Sequence, residues 1–179
     1  MSGRVKMLAW LAVVVATPAV VVGSSRAVGE RAGISAGTAS GADIEFSQGV
    51  SWTGKLLVAR AAQLGSEVPV PRGSNFNGIR WDQLVAGTDG DIRFLLQFNA
   101  ACQWLRHSVA EPNDPDAVAV WADLPRWPAM RVSGQGEAFA AAHEEVLSGD
   151  TEGDLLGQCV EAHDRQVRAA WERGVEPPK

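Results

Sequence analysis

Two cysteines and three histidines are the side chains of this sequence best able to do chemistry, and four of the five come in pairs. "FNAACQWLRH" carries Cys102 and His107. Some fifty residues later "CVEAH" carries Cys159 and His163. The third histidine, His143, opens "HEEVL". A zinc site, a disulfide and a packed core would each use these types, and spacing separates the three.

A Cys2His2 zinc site needs four donors that converge. At about 100° per residue, a helix from Ile92 onward gathers Leu95, Phe98, Cys102, Leu105 and Val109 into one apolar stripe. His107 falls about 140° round from Cys102, so the first half of a zinc set fails. Cys159 and His163 are four residues apart and share a helical face, with His163 near the centre of an apolar arc. They are weak metal candidates, because only three good donors come within reach. The arc supports a buried neutral histidine bonded to a carbonyl or carboxylate instead. Both cysteines face the apolar side of their helices. In an oxidising compartment an even count of two favours a bridge, so the expectation is a structural disulfide, Cys102–Cys159.

Catalytic signatures are absent from the sequence. "HEEVL" has Leu147 where a zinc-protease helix needs its second histidine. "VSGQG" lacks the glycine two residues before Ser133 that a nucleophile elbow requires. "DTEGD" has its glycine misplaced for a calcium loop and reads better as an acidic helix start. Triads and carboxylate pairs can be drawn from any chain with three histidines and 21 acids, so drawing them decides nothing. No motif calls for a cofactor.

The elements that position these residues are helical. "SWTGKLLVARAAQL" offers a serine cap and helix formers, and "IRWDQLVAG" about two turns closed by Gly87. "TDGDIRFLLQFNAACQWLRHSVA" is the strongest helix, capped by Asp89 or Asp91 and ended by Pro112. "DPDAVAVWADL" follows, then "GQGEAFAAAHEEVLSG" and "TEGDLLGQCVEAHDRQVRAAWERG". The last carries Glu161–Arg165 and Asp164–Arg168 pairs in the stabilising order. Strand character reaches no further than "VPVPR". These patterns predict an all-α fold, a compact bundle of four to six helices spanning residues 45–175.

Before it come two other segments. "MSGRVK" is short and basic, and 17 uncharged residues follow, "MLAWLAVVVATPAVVVG". Residues 1–24 read equally as a cleaved signal peptide and as a single membrane anchor with its positive end inside. Residues 25–44, rich in Gly, Ala and Ser, read as a flexible linker. Either way the remainder is expected outside the cytoplasm, secreted or anchored, and touching the membrane only if the anchor is retained. Beyond residue 26 the chain has 13 basic and 21 acidic side chains, a formal charge of −8. A nucleic-acid binder needs a basic stripe, and that class is set aside.

Six of the seven tryptophans lie in this exported part, which has no tyrosine. Trp171 belongs to the apolar arc of the last helix and is expected in the core. Trp104 lies about 160° from Cys102 on its helix. Trp121 and Trp127 bracket a proline corner, "ADLPR". If exposed, the three would form an aromatic patch with Arg93, Arg126 and Arg131, suited to a partner protein or a sugar. The alternative is that the rings pack under the connections of the bundle. The functional expectation is a non-enzymatic cell-envelope interaction or accessory module with an envelope protein partner. A small envelope hydrolase or cell-wall carbohydrate binder is the alternative. A pocket holding a carboxylate with His107 or His143 would favour chemistry; a flat apolar patch would favour a partner.

Overall fold

The structure, a computed structural model, describes residues 49–179. The N-terminal apolar segment and the linker lie outside the described residues. Within them the expectation of an all-α bundle holds, with six α-helices and no β-strand. They are α1 (Gly54–Gly65), α2 (Asp89–Ala110), α3 (Pro115–Asp123), α4 (Pro128–Ser133), α5 (Gln135–Leu147) and α6 (Asp154–Glu172). None of them is long and apolar enough to cross a membrane.

α2 is the axis of the domain. It packs against α1, α4, α5 and α6 and meets α3 at its end. Its sequence shows why it can be surrounded. Ile92, Leu96 and Leu105 supply bulk, Ala100 and Ala101 let neighbours approach, and all five are fully buried. The polar residues buried beside them, Gln97, Asn99, Gln103 and Ser108, each take part in a hydrogen bond inside the fold. The start of α2 differs from expectation. Thr88, not Asp89 or Asp91, is the N-cap; its hydroxyl accepts from the Asp91 amide while the Asp91 carboxylate accepts from the Thr88 amide. This reciprocal box satisfies two otherwise orphaned donors. Asp89 is engaged elsewhere, accepting from Trp52 Nε1 at 2.7 Å and from the Arg60 guanidinium. Arg60 also lies over the Trp52 ring, so the Asp89 carboxylate ties both α1, through the Arg60 ion pair, and the chain before it, through Trp52, to the head of α2.

Three further departures have local causes. "IRWDQLVAG" forms a single 3₁₀ turn at Trp81–Gln83, because Gly87 exchanges two backbone hydrogen bonds with Trp52 and draws the chain out. "VPVPR" forms no strand. α4, absent from the sequence reading, starts at Pro128, and the Gln97 side chain of α2 accepts from its Ala129 amide at 2.9 Å. A cap delivered from another helix leaves no local sequence signal.

Cys102 and Cys159 are joined in a disulfide, with Cα atoms 5.0 Å apart, linking the middle of α2 to α6. Such a bridge is compatible with an extracytoplasmic location. α6 turns Leu156, Cys159 and Ala170 inward. Trp171, expected in the core, is 68% exposed. It follows Ala170 by one residue, which carries it about 100° off the buried face. Next to α6, Gly78 has no alternative residue. A Cβ there would stand 2.3 Å from Gln166 Cβ and 2.8 Å from the Gln166 backbone, so the loop lies directly on the helix.

Candidate functional site

The candidate aromatic surface is not formed, and the alternative, that the rings pack inside the bundle, holds. Trp104, Trp121 and Trp127 are buried, at 3%, 8% and 6% exposure. The helical wheel separated Trp104 from the Cys102 stripe correctly, but α2 is covered on both sides, so the opposite face is core as well. Each of two indoles also has its N–H satisfied inside. Trp104 Nε1 donates to the Pro69 carbonyl at 3.0 Å, and Trp121 Nε1 to Ser108 Oγ at 3.1 Å. Trp121 stacks on His143 with centroids 4.2 Å apart. Arg93 pairs with Glu67 at 3.0 Å, Arg126 reaches Asp123 at 3.7 Å, and Arg131 is exposed.

The weak metal pair fails too. Cys159 has its sulfur in the disulfide and offers no thiolate, which is the form that binds metals. His163 is half-buried, and its Nδ1 has no hydrogen-bond partner, so the expected carbonyl or carboxylate is missing on that side.

Burial lowers the affinity of His143 for a proton, and it does the same for His163, where the Arg106 charge adds to it. In the unfolded chain both protonate near 6.5, whereas the folded protein resists until a lower pH. Below 6.5 the unfolded state binds more protons, so this contribution is full above 6.5 and is lost as pH falls from there through the folded-state values. A urea titration series should show a decline setting in below about pH 6.5. The double variant His143→Gln, His163→Gln should flatten it. An equal decline in both proteins would exclude the histidines as its source.

An open groove in the described surface lies elsewhere. It has a volume of about 1300 Å³ and runs between the Pro69–Arg72 strap and the corner where α2 passes into α3. Its lining is mixed: Val70, Val120 and the edge of Trp104 are apolar, and Arg72, His107, Glu111, Asp114 and Asp116 are charged or ionisable. Helix geometry places them. His107 lies in the last turn of α2, and Glu111 caps that helix, its amide donating to the His107 carbonyl at 2.8 Å. Asp114 is the N-cap of α3, with Oδ1 accepting from the Asp116 amide at 2.9 Å. Its other oxygen, Oδ2, lies 2.6 Å from His107 Nε2. That hydrogen bond is the main reason the Asp114 carboxyl stays below its ordinary range, helped by the Asp116 amide. His107 also meets the Trp104 ring edge-on at 5.5 Å.

Neither Glu111 nor Asp114 was singled out from sequence. The available signal was His107 and Glu111 at i,i+4 on a helix end, followed within three residues by an Asp-Pro helix start. The described residues lining the groove include no serine, threonine, cysteine or lysine. Ser108, next to His107 in sequence, is 1% exposed and its hydroxyl donates to the Trp104 carbonyl at 3.0 Å. The arrangement can hold a polar ligand or a cation, and it offers no hydroxyl or thiol for covalent catalysis. No family model, curated protein or solved structure matches the chain.

Proposed function

We propose that this protein is a non-enzymatic accessory module of the cell envelope, secreted or held by its N-terminal apolar segment, which receives a segment of an envelope protein partner in the groove beside α3. The observation that carries the reading is the groove itself: an open channel of mixed apolar and charged lining with no hydroxyl or thiol among its described residues. That mixture is typical of interfaces formed by proteins that also exist apart. The disulfide supports the location, since bridges persist outside the cytoplasm.

The hydrolase reading has one observation in its favour, the His107–Asp114 hydrogen bond inside a groove. A covalent mechanism built on that pair would need a nucleophile in reach, and Ser108 is turned into the core. The binding reading is therefore preferred.

A photo-crosslinking residue at exposed Ala119, inside the groove, should capture one discrete partner in producing cells. The same residue at Val160, on α6, should not. Asp116→Lys should diminish the Ala119 adduct by reversing charge at the rim. Identical adducts from both positions, or none from Ala119, would refute the groove as the docking face.

A further inference from the structure

We infer that His107, Glu111 and Asp114 form a binding site for a divalent first-row transition cation at the mouth of the groove. One ligating atom from each residue lies within 4.8 Å of the other two. The three come from the last turn of α2, the residue that caps it and the N-cap of α3, joined by a corner too short to let them drift apart. One imidazole and two carboxylates give a mixed nitrogen and oxygen set. Neutral imidazole with two negative charges balances a 2+ ion, and the imidazole favours zinc, iron or nickel over calcium or magnesium, which prefer oxygen alone. Asp114 and His107 already approach one another closely, so little rearrangement separates the hydrogen-bonded pair from a chelate.

The character of the site follows from its number of donors. Structural zinc sites are closed by four protein ligands, whereas sites that act on something keep a position open. Three donors at the edge of an open groove leave coordination positions facing the channel, where a carboxylate, amide or imidazole of a docked segment can complete the shell. The inference thus rests on the groove being the functional face and names what it presents to its partner. Glu111 is exposed and its side chain has no hydrogen bond that the fold uses, so nothing in the packing requires a carboxylate there.

The test uses the untagged full-length chain with its disulfide intact, stripped with chelator and titrated with zinc chloride in a calorimeter. One zinc per chain is expected to bind. Glu111→Gln and His107→Gln should each weaken it by about tenfold or more, since even indirect supports of a metal ligand cost that much. His143→Gln and His163→Gln should leave it unchanged. Glu111→Gln carries the decision if His107→Gln proves unstable. Absence of zinc binding, binding indifferent to Glu111→Gln, or equal weakening by His143→Gln would overturn the site. A chain that crosslinks its partner from Ala119 yet binds no zinc refutes the metal alone; zinc binding without a groove adduct refutes the docking face and leaves the metal standing.

Discussion

Reducing the Cys102–Cys159 disulfide should lower the melting temperature by on the order of 10 °C. The bridge closes a loop of 57 residues. The chain-entropy model assigns such a loop about 4 kcal/mol, through conformations denied to the unfolded chain. Domains of this size are stable by ~5–15 kcal/mol in all, so the bridge is a large share. Its position adds a spatial expectation. Both sulfurs are buried, at 5% and 1% exposure of their residues, and they tie α6 to the axis helix. On reduction, amide exchange should rise first along Asp154–Glu172, while α2 stays protected by α1, α4 and α5. Calorimetry with and without reductant, with intact mass before and after alkylation to verify the redox state, reads the result. A melting temperature unmoved by complete reduction would mean that α6 is held by packing alone.

Phe139→Ala should cost about 3–5 kcal/mol, from lost transfer energy and the cavity left behind. Phe139 is the largest side chain without any exposure, and it meets Phe98 of α2 edge-on with centroids 5.3 Å apart. It is the knob by which α5 enters the core. Gly136, one turn before it, already lies against Pro125, so the backbone cannot sink to refill the void. Phe139→Leu should cost under about 1.5 kcal/mol because volume is nearly kept. Trp171→Ala, although it removes a larger ring, should stay within about 0.5 kcal/mol since that ring is mostly in solvent. Urea midpoints at constant slope measure all three. If Trp171→Ala were the costlier change, α6 would have to pack differently.

Sequence and structure part company over α2 and what surrounds it. Periodicity found the helix, but a wheel assigns an inside and an outside, and α2 has no outside for most of its length. That single fact moved Trp104 from a surface patch to the core, and gave Gln97 the task of capping α4. The error at Trp171 is the converse. The arc drawn on α6 was wider than the one face that α2 can cover, so the ring at its edge remained in water.

What the sequence determined by itself is local or topological. The helix segments follow from period and punctuation, because each needs only its own residues. The disulfide follows from count and facing, because two cysteines in this chain have no other bridge to form. The tertiary structure alone decided which polar residues meet. His107, Glu111 and Asp114 converge only because α2 ends and α3 begins at one corner, at an angle set by packing against the core. The groove exists only because the Pro69–Arg72 strap is held off that corner, tied at one end by the Trp104 indole. Such meetings depend on the relative placement of elements, a property that no helical period encodes.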